Sequence, residues 1–134
     1  MFLQPKKTKY KKLRKGKLPN LEYKSTSLKF GTIGLKAAES GTITAKQLES
    51  ARQAITRKLK RKGKIWIRIF PNYPITKKPT EVRMGKGKGS VSYWAAKVGG
   101  GTILFEICGV TMQKAISAFN TGGAKLPVKT LIIK

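Results

Sequence analysis

The stretch Arg83-Met84-Gly85-Lys86-Gly87-Lys88-Gly89 sets three cations among three glycines. Glycines let backbone N–H groups approach a ligand, and Lys and Arg supply positive charge, so the generic ligand of such a loop carries phosphates. The known nucleotide cradles do not fit it. A Walker loop needs G-x-x-x-x-G-K-[ST], yet the fifth residue after Gly85 is Ser90, and the dinucleotide pattern G-x-G-x-x-G fails at the same place. The chain contains no His and no Asp, so imidazole metal sites, aspartate-held Mg²⁺ and most acid/base dyads cannot be assembled. Its single Cys108 lies in the apolar run "TILFEICG", where a small buried thiol is expected rather than a nucleophile. The expectation is a binding protein without enzymatic chemistry, cofactor, metal or small-molecule substrate.

Charge decides which phosphates. Thirty Lys and Arg stand against five acids, Glu22, Glu39, Glu49, Glu81 and Glu106, for a net charge of +25. In a body with a radius of gyration of roughly 14 Å, most of these cations lie within one or two Debye lengths of one another, about 8 Å at physiological salt. Self-repulsion opposes the compact state, and a dense polyanion relieves it; nucleic acid is the commonest such partner. With 134 residues, 40% of them apolar, a single folded core is expected. No stretch approaches the roughly 20 apolar residues of a membrane span, and the N-terminus turns polar by residue 4, which predicts no secretory signal.

Residues 1–24 carry Lys6, Lys7, Lys9, Lys11, Lys12, Arg14, Lys15, Lys17 and Lys24 with few apolar residues and no period. They predict a cationic arm that contributes no core residue up to position 17 and orders on nucleic acid. The remainder, 25–134, is predicted to form one domain. "LKFGTIGLKAA" from Leu28 suggests a strand with a bulge or close packing. Thr44 and Gln47 form a capping box, Leu48, Ala51, Ile55 and Leu59 follow at helical spacing, and Gly63 ends the run. Arg57, Lys58, Lys60, Arg61 and Lys62 crowd its predicted last turns, beyond what the helix dipole asks for, and make a second candidate phosphate contact.

"KIWIRIF", residues 64–70, predicts a strand with at least one fully buried face. The three prolines of "PNYPITKKPT" predict a long stiff loop. Strands are expected over 90–98 and 102–108, joined at Gly99–Gly101 as a hairpin. Thr111 is a candidate cap for a second helix with Met112, Ala115, Ile116 and Phe119 on one face and Gly122 and Gly123 as its stop. "KLPVKTLIIK" reads as an edge strand, because Pro127 sits at its start. The sum is an α+β sandwich: a mostly antiparallel sheet with two helices packed on it, plus the extended arm. The glycine loop becomes a flexible cationic hairpin tip between Pro79 and Ser90.

"QPKKTKYKK", "GKIWIRIFP", "KPTEVRMGKGKG" and "AKLPVKT", in this order across nearly the whole chain, resemble the L-sixteen family of large-subunit ribosomal proteins of bacteria and organelles. The resemblance implies an α+β sandwich on large-subunit ribosomal RNA near the peptidyl-transferase centre and the base of the intersubunit protuberance. It implies help in positioning A-site tRNA, proximity to P-site tRNA, neighbouring ribosomal proteins as partners, and a role late in subunit assembly. Residues 83–89 match the family's loop approaching the catalytic RNA and tRNAs, and Arg83 matches an arginine that some bacterial members hydroxylate. The arm and the 57–62 helix end match regions that lie on RNA. Two departures stand out: the arm lacks a histidine often seen there, and Gly99–Gly101 replaces a Pro-Gly turn.

Two other classes fit the composition. A non-ribosomal architectural protein would bind duplex DNA as well as RNA. A membrane-active protein would use 45–62 as an amphipathic anchor, but that helix lacks Trp or Phe on its apolar face. The missing Asp and the abundant Lys and Ile look like mitochondrially encoded members, with plastid and bacterial cytoplasm as alternatives. The charge alone generates a prediction. Melting of the isolated chain across an ionic-strength series should show Tm rising with salt and rising again with RNA; a Tm that falls with salt and ignores RNA contradicts it.

Overall fold

A computed structural model describes residues 3–134. The elements in chain order are β1 (Ile33–Ala37), β2 (Gly41–Thr44), α1 (Ala45–Lys58), β3 (Lys64–Ile67), β4 (Tyr73–Lys77), β5 (Ser90–Val98), β6 (Ile103–Cys108), α2 (Met112–Gly123) and β7 (Thr130–Ile133). They build an α+β fold, as expected, but its strands divide between two antiparallel sheets. One has four strands in the order β3-β6-β1-β7, the other three in the order β2-β5-β4. Helix α1 leans on β2 and β5, α2 on β1 and β7, and the helices pack on each other, so the helix pair joins the sheets. Leu35, Phe105, Ile107, Ile43, Leu48, Ile55 and Phe119 fill the buried core.

Local chemistry explains the ends of α1. Thr44 accepts from the Gln47 backbone while the Gln47 side chain accepts from the Thr44 N–H, the predicted capping box. Leu48, Ala51, Ile55 and Leu59 are buried along one stripe. The helix stops at Lys58, earlier than the cation run suggested, with Leu59 as C-cap and Lys60 and Arg61 at φ 52 and 61°. Lys60, Arg61 and Lys62 therefore stand in a turn beyond the helix. In α2, Thr111 is the N-cap without a side-chain cap bond, and Ala115, Ala118, Phe119 and Gly122 are buried while Met112 is exposed. Gly122 and Gly123 are the last two residues of this helix, where its stop was expected. A Cβ on Gly122 would come 2.4 Å from Ile55 Cγ1, so that glycine serves the close approach of the two helices.

Four expectations about strands are corrected. The proline-rich stretch contains β4, which pairs with β5 and tolerates Pro74 because it is the edge of its sheet. Gly99–Gly101 is no hairpin: β5 pairs with β2 and β4, β6 with β1 and β3, and the glycines carry the chain from one sheet to the other. Strand β3 is an edge, shorter than the predicted 64–70; its Ile65 and Ile67, with Ile69 beyond it, pack on the core while remaining partly exposed, so neither of its faces is fully buried. Cys108 is half-buried at the end of β6. The bulge expected in β1 is present as a register shift between Leu35 and Lys36, and β7 is an edge strand.

The four-stranded sheet is organised around Glu106, which is fully buried on β6. Its carboxylate accepts from the N–H of Phe30 at 2.7 Å and of Gly31 at 2.6 Å, from that of Lys29 at 3.3 Å, and from the Arg68 guanidinium. Gly31 is required here, since a Cβ would lie 2.7 Å from the Ile107 carbonyl oxygen. Burial opposes the charge on Glu106, but the N–H groups of Gly31, Phe30 and Lys29 and the Arg68 guanidinium outweigh it and hold the carboxyl below its ordinary value. In the unfolded chain that carboxyl titrates at about 4.3. A depressed folded value means the contribution is complete above the unfolded value and is lost as pH falls through the folded one. Acid titration of stability should thus show a loss beginning near pH 4 that Glu106→Gln reduces, the remainder coming from Glu49, which its bond to Arg52 also holds low. Arg68→Met, which leaves a buried carboxylate without its cation, should destabilise by about 3–5 kcal/mol; denaturant melts showing under about 1 kcal/mol would contradict this reading.

Candidate nucleic-acid interface

The glycine loop is the connection of the β4–β5 hairpin, whose last pair is Lys77 with Ser90. Residues 79–88 are all exposed, Met84 at 92%. Gly85 and Gly87 have φ of +100 and +98°, and a Cβ on either would meet nothing within 4 Å. Their glycine requirement thus comes from the backbone turn, which only glycine adopts without strain. Lys86 between them is also left-handed, at φ 52°. Lys78 Nζ donates to the Gly85 carbonyl at 2.6 Å and shapes the tip from inside. Arg83, Lys86 and Lys88 are exposed at the loop.

The arm lies against this hairpin. Lys12 Nζ donates to the Lys88 carbonyl at 2.8 Å, and Lys88 Nζ donates in return to the Leu13 carbonyl. Tyr73 Oη donates to the Arg14 carbonyl and Lys97 Nζ to that of Lys15, with Lys97 also 4.2 Å from the centre of the Tyr73 ring. Further along, Leu21 pairs with Gly100 in an isolated parallel bridge. Two cation groups that are distant in sequence, Lys12–Lys15 and residues 83–89, therefore meet on one surface. Lys6, Lys7, Lys9 and Lys11 continue it, exposed. Contrary to the expectation for residues 1–17, Leu3 is buried in the core.

The helix-end cations form a different site. Lys58, Lys60 and Lys62 line a cavity of about 330 Å³ together with Leu59, Gly109, Val110, Thr111 and Lys114, and Arg57 and Arg61 are exposed beside it. Sequence reasoning missed Lys114, Lys97, Lys78 and Tyr73. Lys114 becomes visible only when α2 is seen to start beside the end of α1, and Lys97 and Tyr73 only when β4 is recognised as a strand beside β5. Among the described residues no group of three or more His, Cys, Asp or Glu is placed to hold a metal, and no helix is long and apolar enough to cross a membrane.

Residues 5–133 match the family model described as Ribosomal protein L16p/L10e. The chain belongs to that family. A relative from Bartonella henselae named Large ribosomal subunit protein uL16 is 55% identical over 99% of this chain and 97% of its own. Relatives of the same name from Erythrobacter litoralis and Buchnera aphidicola are each 56% identical over 98% of this chain and 92% and 96% of theirs. The L16p/L10e match covers the loop, the helix end and almost all of the arm, and it makes the chain a ribosomal protein rather than an enzyme. Within this family frame, the arm contacts lend themselves to measurement. Tyr73→Phe and Lys97→Met each remove one donor to the arm and should speed tryptic cleavage after Arg14 and Lys15 without lowering Tm appreciably; unchanged cleavage means these donors do not hold it.

Proposed function

We propose that this chain is a structural constituent of the large ribosomal subunit whose arm and loop together grip ribosomal RNA. The loop, on this reading, faces the tRNAs at the peptidyl-transferase centre. The observation that carries it is the convergence of Lys12–Lys15 with Arg83–Gly89 on one exposed surface. Phosphates can bridge the two cation groups there, and the glycines keep the loop backbone unobstructed for RNA. Lys6, Lys7, Lys9 and Lys11 extend the grip, and Arg57, Lys58, Arg61 and Lys62 supply a second contact. The relatives' names support assembly with other large-subunit proteins. An architectural protein without a ribosome is not favoured, since every relative quoted is a ribosomal one. The compartment we favour is the mitochondrial ribosome, on the missing Asp and the wealth of Lys and Ile; the bacterial relatives keep the bacterial cytoplasm as the alternative, beside the plastid.

Arg83 offers a planar fork of donors that Lys cannot reproduce. Arg83→Ala should leave subunit occupancy nearly intact, because the arm and helix end provide most of the attachment. It should slow single-turnover dipeptide formation by an amount corresponding to about 1.5–3 kcal/mol, the worth of one hydrogen bond to a charged group. Occupancy and dipeptide formation are to be compared in purified mutant ribosomes. Collapsed occupancy with normal rates in the remaining ribosomes would make Arg83 an assembly anchor. Failure of the unaltered protein to sediment with any large subunit would overturn the ribosomal reading itself.

A further inference from the structure

The β3 edge of the four-stranded sheet carries large aromatic side chains that the core does not use. Ile65, Ile67 and Ile69 face inward and pack on the core. Alternation within β3 sends Lys64 and Trp66 to the opposite face, Arg68 just past the strand reaches Glu106 on that face, and Phe70 follows two residues on, exposed. The register confirms it, because Trp66 is paired with Glu106, whose neighbour on the other side is Gly34. Over this face runs the segment that donates to Glu106, and it places the Phe30 ring near-parallel to Trp66, 6.1 Å between centres and 20° between planes. Phe30 is 57% exposed and Phe70 49%. Rings so placed keep about half of their surface open to a partner.

Cations flank the rings. Lys64 Nζ lies 5.1 Å from the centre of Trp66, and the Arg68 guanidinium carbon 5.3 Å from that of Phe30. The carboxylate on this face, Glu106, is fully buried and neutralised by Arg68 and backbone N–H groups, so it repels nothing outside. No strand among the described residues lies beyond β3. Part-exposed rings beside the ammonium of Lys64, which no carboxylate among the described residues neutralises, suit a nucleotide, with the base on a ring and the phosphate on the lysine. An apolar protein face would not call for that charge.

We propose that Phe30, Trp66 and Phe70, with Lys64, form a stacking platform for unpaired bases of RNA. The proposal rests on the reading of the chain as an RNA-binding protein and adds to it a site that recognises single strands, where the arm and loop recognise phosphate. Stacking and phosphate contact leave different traces in salt: losing a stacked base lowers affinity and leaves the salt slope alone, whereas losing a phosphate contact flattens the slope.

The test uses the full chain with Trp94→Phe, so that Trp66 is the sole indole. Single-stranded oligouridine of about ten nucleotides, within the usual site sizes, should quench Trp66 emission, and an RNA duplex of equal length should not. Phe30→Ala and Phe70→Ala should each weaken oligouridine binding roughly tenfold, the effect of one lost base stack, at unchanged salt slope. Lys64→Gln should flatten the slope by about 0.7. Phe70 points to solvent, so its variant carries the comparison if Phe30→Ala fails to fold. Steep salt-dependent RNA binding with no quenching, or with wild-type affinity in Phe70→Ala, overturns the platform and spares the ribosomal reading. A chain that binds neither RNA at any salt overturns both.

Discussion

One carboxylate, Glu106, fastens three stretches of chain to the centre of the four-stranded sheet. It sits on β6, takes the guanidinium of Arg68 from the continuation of β3, and accepts the N–H groups of Lys29, Phe30 and Gly31 from the segment leading into β1. Removing its charge would leave Arg68 buried without a counter-ion and would free the cover over one sheet face. In a chain with so few acids, that use has a consequence for everything outside. Glu49 is tied to Arg52, Glu39 accepts from the Lys129 N–H and Glu22 from that of Lys24. The described carboxylates mostly serve the fold, and the surface cations are left for a partner.

Those cations are distributed by the architecture rather than spread evenly. The β4–β5 hairpin sends Arg83–Gly89 outward, and its own strands supply Tyr73 and Lys97 to hold residues 14 and 15 of the arm. Lysine ammoniums donating to arm carbonyls dock the segment without neutralising any charge, so the composite surface stays fully cationic. The end of α1 meets the start of α2 and gathers Lys58, Lys60, Lys62 and Lys114 around a cavity. Membership in the L16p/L10e family gives this distribution its natural partner, and we propose that the arm and loop are two parts of one contact with it.

Much of this was legible in the sequence because it is local. The capping box at Thr44 and Gln47, the apolar stripe of α1, the strand at 90–98 and the exposed hairpin tip at 83–89 each depend on a few adjacent residues. What was not legible depends on distant pairing. Prolines hid β4, since a proline forbids a central strand but not an edge, and edge status is a property of the whole sheet. Three glycines imitated a hairpin where the chain changes sheets. In "KIWIRIF" nothing near Arg68 named Glu106, 38 residues on, as its partner. Leu3 was lost among lysines, although it closes the core.

The central claim is that arm and loop contact the same stretch of large-subunit RNA. Directed hydroxyl-radical cleavage tests it most directly, with iron tethered at Lys11→Cys or at Lys86→Cys in a Cys108→Ala background, positions that neighbour the docking contacts without making them. The account predicts overlapping sets of cleaved nucleotides in assembled subunits. Disjoint sets from the two tethers, or cleavage from one alone, would contradict it.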